Sequence, residues 1–128
     1  MVTKVLVDRD LEAGRFLVEA LDRDKVPVSA ALWIYEPDEE RYRLFVATTI
    51  YDQRGPLEAY RRVQSALEGI ASENRPSLSD INVVSPTDQM VVAIRKAIKT
   101  GPGISGIRFS RNTIDNVYVE DAYVYRLT

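Results

Sequence analysis

From Gln89 to Ile114 the chain carries Arg95, Lys96, Lys99, Arg108 and Arg111 and no acidic residue, five positive charges in 26 residues. The formal net charge is −2, so the remainder carries −7. Within this basic stretch lies Gly101-Pro102-Gly103-Ile104-Ser105-Gly106. Backbone amides of a glycine-rich turn, joined by guanidinium and ammonium groups, make an anion site. The candidate residues for binding an anion or a partner are therefore Arg95, Lys96, Lys99, Gly101, Gly103, Ser105, Arg108 and Arg111, provided the turn folds Arg108 and Arg111 back beside Lys99. The plainer account has Lys96 and Lys99 complementing a helix C-terminus while the arginines pair with carboxylates elsewhere. The same glycines satisfy the letters G-x-G-x-x-G, but a dinucleotide fingerprint needs a strand before them and a helix after. Here a helical pattern precedes and a strand pattern follows, so the glycines read as a helix C-cap and a tight turn into a strand.

Glu120 and Asp121 interrupt an otherwise apolar and aromatic run from Val117 to Tyr125. Neighbouring strand residues point to opposite faces, so one carboxylate is expected on each, and the inward one needs Arg43, Arg108 or Arg111 as partner. A metal-dependent nuclease would require Asp52, Asp80, Glu120, Asp121 and Lys99 to converge, and no Asp-x-x-Asp or Glu-x-Lys spacing in the strands supports it. The chain has no histidine, which removes the usual general base and every Ser-His pair, and no cysteine, which removes thiolate nucleophiles, thiolate metal sites and disulfides. No cofactor or metal is implied. Trp33, Tyr35, Tyr42 and Phe45 on one predicted hairpin, and Tyr118, Tyr123 and Tyr125 on the last strand, are residue types that stack nucleobases. Without a Lys/Arg-Gly-Phe signature they read as core or protein contact surface, and nucleic acid is not the favoured partner.

The elements that must position these residues follow from periodicity. Leu11, Gly14, Leu17, Val18 and Leu21 recur at helical spacing, with Glu12, Arg15 and Glu19 on the other side, predicting a helix over 8–24. Residues 28–35 and 42–50 are apolar on both faces and read as a central hairpin covered from both sides, joined by the acidic loop 36–41. Gly55-Pro56 starts a helix over 56–73, and 80–84 is a short strand. Ser85-Pro86-Thr87-Asp88 has capping-box spacing, which predicts a helix over 86–99 with Ser85 as its cap. Two final strands, 104–110 and 117–127, are joined through 112–116, and the Tyr-rich last strand is expected to offer an open sheet edge.

The order α-β-β-α-β-α-β-β, without repeats or a linker, predicts one α+β domain over 1–128. Its core is a mixed or antiparallel five-stranded sheet with helices packed on it. The first ten residues hold only a short apolar run cut by Asp8, Arg9 and Asp10, too little for a secretory leader, and no window is apolar enough to span a membrane. Lack of cysteine fits a reducing, cytoplasmic setting. The reading these observations favour is a non-enzymatic protein-interaction module, an accessory or regulatory subunit, binding a protein partner or a second copy of itself through a strand edge. The alternatives are phosphate or nucleic-acid binding through residues 95–111 and the carboxylate nuclease.

Overall fold

The first hairpin decides the architecture of the computed structural model, which describes residues 5–128. The opening residues 1–4, read above for a leader, lie outside the described residues. β1 (Ala30–Glu36) and β2 (Arg41–Ala47) pair antiparallel with Trp33 opposite Leu44. Ala31, Trp33, Leu44 and Val46 join one hydrophobic cluster, while Ala30, Leu32, Ile34, Phe45 and Ala47 join another. A hairpin apolar on both faces must be covered twice. The first cluster is closed by α1 (Asp8–Arg23), α2 (Thr49–Arg54) and α3 (Pro56–Glu68), which contribute Leu17, Leu21, Ile50 and Val63. The second is closed by α4 (Gln89–Ala97) through Val91 and Ile94. The fold is α+β, as the periodicities predict.

The sheet is mixed, in the order β3-β2-β1-β5-β4. β3 (Ile81–Val84) lies parallel to β2, reached by the α2–α3 crossover, and β5 (Val117–Leu127) lies antiparallel between β1 and β4 (Ile107–Ile114). The Tyr-rich terminal strand is therefore interior, contrary to the sequence expectation; β4 and β3 are the edges. β5 carries Val119, Ala122, Val124, Tyr125 and Leu127 buried, and a strand so thoroughly apolar gains more between two neighbours than at a border.

Boundaries also move, among them the start of β4, which lies at Ile107 and not at 104. The second strand stops at Ala47, because the Thr48 hydroxyl accepts the Ile50 amide at 3.2 Å and caps α2, an element the apolar pattern hid. α3 ends at Glu68, five residues early, where the Gly69 amide turns back to the Ala66 carbonyl. α4 begins at Gln89, capped by Asp88, whose carboxylate accepts the Met90 and Val91 amides at 3.0 and 3.3 Å. Ser85 and Asp88 are both good caps, and the anion at the positive end of the helix prevails. Finally, β4 and β5 continue into a two-residue turn at Asp115 and Asn116, with φ of 50° and 65° as a type I′ turn requires.

β5 carries one bulge against β1: Arg126 faces Ala31 while Val124 faces Leu32, leaving Tyr125 as the extra residue. Tyr125 and Arg126 consequently both reach α1. The Tyr125 hydroxyl donates to the Leu11 carbonyl at 2.7 Å and accepts the Trp33 indole N–H at 3.0 Å. Arg126 grips Asp22 with two bonds of 2.9 and 2.7 Å. Gly14 is required here, since a Cβ at that position would collide with the Tyr125 ring.

Candidate binding cleft at a slip in the β4–β5 ladder

A second irregularity lies five residues away, about 17 Å of strand, between β5 and β4. Val119 and Ala122 both belong to the core under α4, yet two residues separate them, so alternation fails by one step. The partner strand fails at the same level. Ser110 faces Asp121 and Asn112 faces Val119, while the pair between them, Arg111 and Glu120, is missing from the ladder. Arg111 has φ 52°. The other non-glycine residues with positive φ among the described residues, Lys25, Glu40, Asp115 and Asn116, stand in turns between elements; Arg111 alone stands inside a strand.

The paired slip turns Ser110, Arg111, Glu120 and Asp121 to one side. With Tyr35, Tyr42 and Arg108 they line a cleft of about 630 Å³, every wall of which is strand. The expectation of one carboxylate per face is corrected: Glu120 and Asp121 line the same cleft, because the alternation of β5 itself fails by one step between Val119 and Ala122.

Asp121, 9% exposed, anchors the cleft. Of the three arginines weighed as its partner, Arg108 takes the role, donating from Nε at 2.8 Å and Nη2 at 2.6 Å. Ser110 Oγ donates at 2.7 Å and the Tyr42 hydroxyl donates to Oδ2. Burial works to raise the Asp121 pKa, but the bonds from Arg108, Tyr42 and Ser110 with the Arg108 charge prevail and hold it at about 2. Burial, then the bond to Asp121 and its charge, pushes the Tyr42 phenol up to about 12. Tyr35 packs edge-on against Tyr42, ring centroids 5.1 Å apart. The result is a guanidinium locked in one orientation, with the rest of a side chain that is 48% exposed turned outward.

The basic stretch is divided by the sheet. Phe109 packs into the core under α4, so its neighbours Arg108 and Ser110 point to the other face. Arg95, Lys96 and Lys99 stay with α4: Arg95 bonds the Pro86 carbonyl at 3.3 Å, Lys96 pairs with Asp115 at the hairpin turn, and Lys99 is exposed. Gly101 and Gly103 lie in the loop before β4, where the Gly103 carbonyl accepts from Arg126 and the Ser105 amide bonds the Tyr125 carbonyl. The eight candidate residues thus fall into three places, and Arg108 and Arg111 alone share the cleft.

The nuclease carboxylates are dispersed as well. Asp52 accepts from Ser85 at 2.9 Å, Asp80 pairs with Arg41 at 2.8 Å, and among the described residues no three acidic groups gather to hold a metal ion. Of the aromatic residues, Trp33, Phe45 and Tyr125 are core, Tyr123 stacks edge-on against Tyr125, and Tyr118 is exposed. A second cavity, about 540 Å³, reaches Trp33 between α1 and α3. Four of its charged groups are already engaged: Arg9 bonds the Glu73 carbonyl, Arg75 the Leu67 carbonyl, Asp10 the Val7 amide and Asp80 Arg41.

Sequence reasoning missed Tyr42 and Ser110 as partners of Asp121 and missed the shared face of Arg108 and Arg111. No local signal announces a left-handed arginine in a strand; the single visible trace is Glu120-Asp121, two charges set side by side in an apolar run. No helix among the described residues is long and apolar enough to cross a membrane. Compared with protein-family models, with curated proteins and with solved structures, the chain finds no match in any of the three.

Proposed function

We propose that this protein is a non-enzymatic interaction module, an accessory or regulatory subunit that docks a protein partner in the cleft at the β4–β5 slip. One observation carries the reading: a left-handed arginine inside a strand. An L-residue in that conformation costs on the order of 1–2 kcal/mol, and it stands where Arg108, Ser110, Arg111, Glu120 and Asp121 line one cleft with Tyr35 and Tyr42. Strain of this kind concentrates at ligand clamps and re-aimed side chains. Tyrosine and arginine are also the residue types that carry most binding energy at protein interfaces. The neighbouring edge of β4 is blunted by the Asn112 side chain, which covers the Ser110 carbonyl at 3.0 Å, so the partner docks on the face and not at the edge.

The test compares the tagged full chain with a Tyr35→Ala, Glu120→Ala variant, which removes cleft wall and keeps every side chain that bonds Asp121. Both are captured from the native host, and intact assemblies are weighed by native mass spectrometry. A stoichiometric protein partner on the parent chain and its loss from the variant are expected. A partner retained by the variant, or a parent chain emerging with nucleic acid alone, overturns the reading.

A further inference from the structure

The geometry points to Arg108 and Arg111 as a two-guanidinium site for a carboxylate, presented by an acidic side chain on an extended peptide. This inference rests on the cleft being the docking surface. In a regular strand, residues three apart face opposite sides. Arg108 and Arg111 face the same cleft, because Arg111 adopts φ 52°. Arg108 is immobilised from behind: Asp121 takes its Nε and Nη2, and Tyr42 and Ser110 hold Asp121 in turn, which leaves Nη1 and the outer edge of the fork available. A guanidinium pre-oriented in this way loses little freedom when it binds an oxyanion, and its planar fork matches a carboxylate.

Charge selects among oxyanions. Arg108 and Asp121 offset each other, and among the described residues Arg111 and Glu120 form no ion pair. Glu120 lines the same cleft, so the cleft's four charged groups sum to zero and leave no surplus positive charge to offset the larger desolvation cost of a dianion. The preferred ligand is therefore a carboxylate and not a phosphate monoester, and a peptide amide N–H beside it offers Glu120 a donor. Tyr35 supplies a ring against which the peptide lies.

The experiment follows the arginine Nε–H resonances of the labelled full chain while acetyl-Gly-Glu-Gly-amide or its phosphoserine counterpart is added. Saturable shifts at Arg108 and Arg111 are expected, at lower concentration for the glutamate peptide, and Arg111→Gly weakens them by on the order of tenfold or more. Glu120→Gln reverses the preference toward phosphoserine. Absence of a saturable shift in the parent chain, or equal binding by Arg111→Gly, overturns the site. Tighter binding of phosphoserine by the parent chain overturns the carboxylate assignment, and an unchanged preference in Glu120→Gln overturns the argument from charge. A protein partner lost from the Tyr35→Ala, Glu120→Ala variant but kept by Arg111→Gly sinks this inference and leaves the docking cleft standing. Peptide shifts without any captured partner overturn the docking cleft and, with it, the assignment of the carboxylate to a partner's peptide.

Discussion

β5 breaks its alternation twice, and the two breaks differ in what covers them. At Tyr125 the extra residue lies under α1, where its hydroxyl, the Trp33 indole and the Arg126 guanidinium all find partners inside the molecule. At Glu120 and Asp121 the slip lies in a cleft walled by strands, and it leaves Arg111 and Glu120 facing outward. The first break fastens a helix to a sheet. The second spends conformational strain on groups that the fold does not use. An irregular strand is thus no indication of function by itself; what matters is whether the redirected polar groups are satisfied internally.

The sharpest way to break this comparison is to delete each centre. Tyr125→Ala should destabilise the chain by about 3–5 kcal/mol, since it opens a cavity under α1 and strands the Trp33 N–H. Urea unfolding measures it, and a loss comparable to that of a surface substitution would show that the covered break is not a fastening. Asp121→Ala should cost less, roughly 1.5–3 kcal/mol, because Arg108 keeps access to water while Tyr42 and Ser110 lose their shared acceptor.

Acid separates the two regions without mutation. Asp121 has its pKa lowered from 3.8 to about 2 by folding, so its contribution is complete above pH 3.8 and is lost as pH falls toward 2. Unfolding at a series of pH values should show a loss of stability in that window that is reduced in Asp121→Asn. An identical acid limb in the two proteins would mean that the carboxylate is not held as its bonds imply.

The smallest expected effect has the opposite sign. Arg111→Gly removes the left-handed penalty and incurs the entropy cost of glycine, a net stabilisation from a few tenths to about 1 kcal/mol. A slight rise in Tm together with weakened peptide binding would mark Arg111 as a residue kept for binding at the expense of stability. A fall in Tm would mean that its side chain supports the fold.

Much of this was legible in the residues. The helical spacing of Leu11, Leu17, Val18 and Leu21 placed α1, and the two-sided apolarity of Val28 to Tyr35 placed the hairpin at the centre. Ser85 against Asp88 was a choice between two equally good caps, which local pattern does not resolve. The edge was misread because Tyr118, Tyr123 and Tyr125 look like a contact surface until β4 is seen to lie outside them. Of the candidate binding residues, Arg108 and Arg111 were named, but beside Lys99 and the glycines, on the wrong face.

The type and order of every element but α2, and the need to cover the first hairpin twice, were determined by the sequence alone, because hydrophobic periodicity is a local property that each segment carries with it. Tertiary structure decided which arginine meets Asp121, which strand forms the border and which side chains share the cleft. One sign change in φ at Arg111 shifts every later side chain of β4 by a face, and that sign is set by the pairing of two strands and not by any pattern within one.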